Sequence, residues 1–107
     1  MNQITPTQLA ERLEQPAPPV LLDVRELEEH NFVALPGSTL IPLGELEDRS
    51  HEIDSWKARE IVVYCHHGVR SMHAIAFLNS QGFQRLLNLA GGIDRWSLEV
   101  DSAAPRY

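Results

Sequence analysis

The apolar run Ile61-Val62-Val63-Tyr64 leads directly into Cys65, and His66-His67-Gly68-Val69-Arg70 separates it from a helical pattern beginning at Ser71. A β-branched run without alternation reads as a strand buried on both faces, which requires helices above and below a parallel sheet. Val20-Leu21-Leu22-Asp23-Val24 and Arg85-Leu86-Leu87-Asn88-Leu89 have the same character. Between these runs lie helix signals. Thr5 is placed as an N-cap, with Pro6 first in the helix and Gln8 closing a capping box. That helix runs to about Glu14, with Leu9, Ala10 and Leu13 inward, and is stopped by Pro16-Ala17-Pro18-Pro19. Short helices are expected over Glu26–Phe32 and Leu43–Ser50, on either side of a short strand at Thr39–Ile41. Ser71–Gln81 reads as a helix that is apolar nearly all round and therefore well buried, with Gly82 at its C-terminal reversal. Gly91-Gly92 turns into a last helix over about Ile93–Leu98. Ile4 supplies an edge strand, and the tail Glu99–Tyr107, which has no period, is expected to lie along the surface. Strands alternating with helices predict an α/β fold: one domain over residues 1–107, in three α/β/α layers around a central parallel sheet of four to five short strands.

Charge and cysteine content narrow the function. A formal net charge of −6 disfavours nucleic acid and anionic membranes as partners. The beginning Met1-Asn2-Gln3-Ile4 has neither a basic stretch nor a long apolar run, so a cytoplasmic location is expected. A single cysteine excludes an intramolecular disulfide and a multi-cysteine zinc site. In a reducing compartment such a thiol stays available for chemistry.

Cys65 lies at the carboxyl end of a predicted parallel strand, where open α/β sheets bind their ligands. The following helix N-terminus favours a thiolate through its unpaired amides and its dipole. Gly68 lets successive amides turn inward as an anion nest. Arg70 and the two histidines add positive character. A lone cysteine at a strand end is more often a small buried hydrophobe, but burial does not call for two histidines, a glycine and an arginine beside it. A metal set of Cys65, His66, His67 and His73 offers enough ligand atoms, yet adjacent residues in a tight loop rarely aim at one ion. No metal or cofactor is expected.

The stretch Cys65-His66-His67-Gly68-Val69-Arg70-Ser71 resembles the active-site loop of the single-domain rhodaneses, a sulfurtransferase family. Leu22-Asp23-Val24-Arg25-Glu26 resembles the family's Asp-Val-Arg segment, and Pro36-Gly37 through Ile41-Pro42 its Pro-Gly turn and Ile-Pro. Leu89-Ala90-Gly91-Gly92-Ile93-Asp94-Arg95-Trp96 is similar to its Gly-Gly-Ile-x-x-Trp motif. Val33-Ala34 stand where members often carry Gly-His. The resemblance implies a rhodanese-like domain and a rhodanese-type thiosulfate sulfurtransferase. In it Cys65 is the nucleophile and persulfide carrier, and His66, His67, Gly68, Val69, Arg70 and Ser71 bind the substrate. The partners implied are a small sulfur donor such as thiosulfate and a thiophilic acceptor: cyanide, a thiol or a sulfur-carrier protein. A non-turnover sulfur-relay or binding module on the same fold is the alternative. Related phosphatases and arsenate reductases carry five residues between Cys and Arg, whereas four stand here, a ring suited to one sulfur atom more than to a tetrahedral oxyanion.

Other polar residues read mainly as structural. Arg25 is expected to pair with a carboxylate such as Glu29, and Asp23 to bond loop amides or support the candidate loop. His30, His51 and the acidic residues, Glu26, Glu28 and Glu29 among them, are read as solvated. Trp56, Phe83 and Trp96 are read as packing.

Overall fold

The computed structural model describes residues 2–107. Five strands form one sheet: β1 (Gln3–Ile4), β2 (Val20–Asp23), β3 (Thr39–Leu40), β4 (Glu60–Tyr64) and β5 (Arg85–Leu89). Their order is β1-β5-β4-β2-β3, and every pairing is parallel. β4 therefore lies at the centre, with Leu22 opposite Val63 on one side and Asn88 opposite Val63 on the other. The helices are α1 (Pro6–Leu13), α2 (Leu27–Phe32), α3 (Leu46–Arg49), α4 (Val69–Ser80) and α5 (Gly92–Glu99).

Side chains on successive strand residues point to opposite faces, and here both faces are buried. Leu22, Ile61, Val63 and Cys65 pack with Leu46 of α3 and Ala74, Ile75 and Leu78 of α4. Leu21, Val62, Tyr64 and Leu89 pack with Leu9 of α1 and Ile93 and Trp96 of α5. This two-sided burial is why the strands read as unbroken apolar runs, and it produces the three layers. Full burial of one such aliphatic side chain is worth about 1.5–3 kcal/mol.

The Thr5 capping box is present, with the Gln8 amide on Thr5 Oγ1 at 3.2 Å and the Thr5 amide on Gln8 Oε1 at 2.9 Å. Two expectations about the helices need correction. The 43–50 helix is a 3-10 turn (Leu43–Glu45) followed by α3, and a further 3-10 stretch covers Ser50–Trp56. α4 is buried on one face only: Met72, His73 and Ala76 are exposed although two of them are apolar. The sheet covers just one side of a helix, so the apolar residues opposite it stay in solvent.

Asp23 and Arg25, at the carboxyl end of β2, are both fully buried. The Arg25 side chain pairs with the Asp23 carboxylate, not with that of Glu29, through Nε on Oδ1 at 2.9 Å and Nη2 on Oδ2 at 2.7 Å. Asp23 also accepts from the Arg25 amide at 3.0 Å and the Tyr64 hydroxyl at 3.1 Å. His30 Nδ1 lies 2.8 Å from Asp23 Oδ2, so this histidine is not a free surface residue as read from the sequence. Arg25 further donates to the Val33 carbonyl at 2.7 Å. The pair thus ties β2, β4 and the end of α2 together. Removing one member of a buried pair strands the other. Asp23→Ala is therefore expected to lose about 3–5 kcal/mol of stability in urea unfolding, whereas a loss below about 1 kcal/mol would mean that water reaches Arg25.

Candidate active site

Cys65 directly follows the central strand and is only 2% exposed. Gly68 takes φ +109°, a conformation that disfavours any side chain, and serves as N-cap of α4. The helix consequently begins at Val69, two residues before the expected start, and the loop between strand and helix shrinks to residues 65–68. The chain reverses at Gly68 alone, so Val69, Arg70 and Ser71 belong to the first helical turn. The amides of that turn have no intrahelical acceptor, and the positive end of the dipole meets the sulfur. The Gly68 amide donates to Cys65 Sγ at 3.1 Å.

The loop's carbonyls are held on the outside. Ile93 N donates to the Cys65 carbonyl at 2.9 Å, and Asp94 N to the His66 carbonyl at 3.2 Å. Both donors are in the first turn of α5. Asn88, buried on β5, donates from Nδ2 to the Gly68 carbonyl at 3.2 Å. A trans peptide points its N–H opposite to its C=O. Fixing the carbonyls of residues 65, 66 and 68 outward therefore turns the amides of His66, His67 and Val69 into the loop. The close approach of α5 depends on Gly92, where a Cβ would meet the His66 carbonyl oxygen at 2.2 Å. The Gly91-Gly92 pair is thus more than a turn.

Ser71 is buried, with Oγ 3.5 Å from Cys65 Sγ and 2.5 Å from Asn88 Oδ1, to which it donates. Asn88 therefore orients both a loop carbonyl and the hydroxyl beside the sulfur. Of the other residues singled out in sequence, Gly68 is buried and Val69 is 64% exposed, so Val69 offers the loop its backbone alone.

His66 lies in an aromatic stack, 3.9 Å from the His67 ring on one side and 3.9 Å from the Tyr107 ring on the other. Burial, followed by the neighbouring His67, lowers its pKa from the ordinary value and so favours the uncharged ring. His66 Nε2 is buried without a hydrogen-bond partner among the described residues. Ligand atoms of His66, His67 and Asp94 come within 4.8 Å of one another. Imidazole lone pairs lie in the ring plane, however, and the two rings are within 24° of parallel. Their lone pairs do not converge on one ion, and Arg106 holds the Asp94 carboxylate at 2.8 Å. His73 is exposed and outside this group.

Arg70, expected to add positive charge to the loop, is paired with a carboxylate. Its Nη1 and Nη2 donate to the two oxygens of Glu29 at 2.6 and 2.9 Å. Glu29 also accepts from the Glu26 amide at 2.9 Å and the Tyr107 hydroxyl at 2.7 Å. Hydrogen bonds from Arg70 lead in holding the Glu29 carboxyl at about 2. Tyr107 accepts in turn from Arg25 Nη1 at 2.9 Å, and its phenol is pushed up to about 12, chiefly by burial. The tail therefore returns to the rim of the candidate site.

Asn88 is the one polar residue in Leu86-Leu87-Asn88-Leu89. A polar residue near the carboxyl end of a buried strand was the available signal for it. Glu29 is indistinguishable in sequence from the neighbouring acids Glu26 and Glu28, and nothing local in the sequence links Tyr107 to residue 66.

With this geometry in place, comparison with known proteins gives the family. The rhodanese-like domain profile matches residues 5–99. A sulfurtransferase of Allochromatium vinosum is 36% identical over 97 residues, covering 91% of this chain and 89% of its own length. YrkF of Bacillus subtilis, which bears the name of a sulfur carrier, is 40% identical over 77 residues. That match covers 72% of this chain but 40% of the relative. The crystal structure of a rhodanese-like domain protein from Staphylococcus aureus superposes with a TM-score of 0.85 at 27% identity, over 100% of this chain and 99% of that one. The chain belongs to the rhodanese-like domain family, and its parallel five-stranded sheet is that family's fold.

Two outcomes follow from the site's construction. Gly92→Ala places a methyl group against the His66 carbonyl at positive φ and is expected to cost about 2–4 kcal/mol in denaturant unfolding. A neutral result would mean that α5 is not pressed against the loop. Glu29 has its folded value depressed from 4.5 to about 2, so its contribution is full above about 4.5 and fades as pH falls toward 2. The stability difference between wild type and Glu29→Gln should follow that course in urea titrations at stepped pH; a difference that grew on acidification would contradict the pairing.

Proposed function

We propose that this member of the rhodanese-like domain family is a sulfurtransferase that carries sulfane sulfur as a persulfide on Cys65. The observation that carries the reading is the position of Cys65 Sγ. It sits at the N-terminal end of α4, inside a loop whose carbonyls are tied outward, with the Gly68 amide already on the sulfur at 3.1 Å. Such a ring stabilises negative charge on a sulfur atom and on one more sulfur bound to it.

In the first half-reaction the Cys65 thiolate attacks the outer sulfur of a donor with a polarised S–S bond, thiosulfate being the simplest. A new S–S bond forms, the donor's S–S bond breaks, and sulfite leaves with its electron pair. The anionic outer sulfur of the persulfide is cradled by the amides of His66, His67, Gly68, Val69 and Arg70, and the Ser71 hydroxyl lies against the inner sulfur. In the second half-reaction a thiophilic nucleophile (cyanide, a thiol or a sulfur-carrier protein) attacks the outer sulfur, and Cys65 leaves as the thiolate. With one cysteine in the chain, no second thiol resolves the persulfide internally, so the sulfur passes to another molecule. A reducing compartment such as the cytoplasm suits a lone reactive thiol. The likeness to a protein named as a sulfur carrier also favours a relay role, in which the donor or acceptor is itself a protein.

Intact mass after incubation with a sulfur donor tests the assignment. A gain of one sulfur atom is expected in the wild type, none in Cys65→Ser, and reversal on adding cyanide. Absence of any adduct with every donor class, or an adduct that survives in Cys65→Ser, would contradict it.

A further inference from the structure

We infer that Glu29 acts as a charge filter at this site, directing it toward organic persulfides with uncharged tails and against small sulfur oxyanions such as thiosulfate. The inference rests on the reading of Cys65 as sulfur acceptor and concerns which donors reach it.

The observation is the state of the cations at the rim. Arg70, the cation nearest the loop in sequence, is already held by both oxygens of Glu29. Arg106 is bound to Asp94, with Nε and Nη2 on its two oxygens at 2.8 and 3.2 Å. Arg25 is buried against Asp23. The His66 ring is stacked between those of His67 and Tyr107, and its burial disfavours the charged form. Each arginine that reaches this rim is therefore matched by a carboxylate.

Glu29 is also fixed in place. It takes four hydrogen bonds, from Arg70 twice, the Glu26 amide and the Tyr107 hydroxyl. The Tyr107 hydroxyl is anchored by Arg25, which belongs to the buried cluster beneath β2. With its carboxyl held at about 2, Glu29 stays ionised across the physiological range. An incoming anion must displace this carboxylate from Arg70 or approach without a free cation.

The two donor classes differ in the charge they bring together. Thiosulfate attack, Cys65–S⁻ + S–SO₃²⁻ → Cys65–S–S⁻ + SO₃²⁻, assembles three negative charges and releases a dianion. Attack on the protonated form of an alkyl persulfide, Cys65–S⁻ + R–S–SH → Cys65–S–SH + R–S⁻, forms and breaks one S–S bond with a single negative charge through the exchange, and the outer sulfur then gives its proton to the released thiolate or to water to become the cradled anion. At an effective dielectric typical of protein surfaces, one extra unpaired carboxylate or one missing cation beside a dianion matters strongly. The loop amides can serve both reactions, whereas a free Arg70 matters mainly to the first.

The test compares single-turnover sulfur loading of Cys65 from thiosulfate and from 2-hydroxyethyl persulfide, read by intact mass. The quantity used is the ratio of the two rate constants, and its change between variants removes the donors' different intrinsic reactivity. Glu29→Gln is expected to raise the thiosulfate-to-persulfide ratio about five- to tenfold, the scale of one charge acting on a nearby dianion. Glu29→Asp, which keeps the charge, should hold the ratio within about twofold of wild type. A gain with thiosulfate cannot arise from misfolding. A ratio unchanged in Glu29→Gln, or raised equally in Glu29→Asp, would overturn the filter while leaving the persulfide reading intact. Failure of both donors to load any variant would overturn the persulfide reading itself.

Discussion

Everything at the candidate site depends on two backbone hydrogen bonds, from the amides of Ile93 and Asp94 to the carbonyls of Cys65 and His66. They fix the orientation of peptide planes that would otherwise be free to rotate in a short polar loop. With those carbonyls pinned outward, the planarity of the peptide unit aims the next amides inward. The same bonds join the chain's last helix to the turn after its central strand, so the sheet's closing element also shapes the site. Gly92 is the residue that allows it, because a side chain there would overlap the loop backbone. Asn88 adds a third restraint from β5, beneath the Gly68 carbonyl.

Charge at the rim is arranged in a second tier. Asp23 and Arg25 form a buried pair under the carboxyl ends of β2 and β4, and Arg25 extends to Tyr107. Tyr107 holds Glu29, and Glu29 holds Arg70. The arginine of the loop is therefore linked to the core through a chain of hydrogen bonds. In a loop that cradles an anion through backbone amides, such a chain makes the arginine's charge adjustable without disturbing the cradle.

Much of this could be read from the residues. Buried parallel strands announce themselves as short apolar runs without alternation, and the Thr5 capping box and the Cys65–Arg70 spacing are local patterns. What escaped is non-local. Glu29 and Arg70 are 41 residues apart and Tyr107 is 78 from Glu29; no periodicity encodes those meetings. α4 starts two residues earlier than its apolar pattern suggests, because Val69 and Arg70 look like loop residues although Gly68 reverses the chain by itself. Arg25 reads as paired with a carboxylate such as Glu29, whereas the buried Asp23 two residues away offers both oxygens in a dry environment.

The central claim is that the inward amides of residues 66 to 70 hold the sulfur, and amide correlation spectra before and after stoichiometric sulfur loading test it most directly. The account predicts that the amide protons of His66, His67, Gly68, Val69 and Arg70 shift together on loading while those of Ile93 and Asp94, already bonded to the loop carbonyls, stay in place. Loop amides that do not respond, or loading that instead moves Ile93 and Asp94, would contradict it.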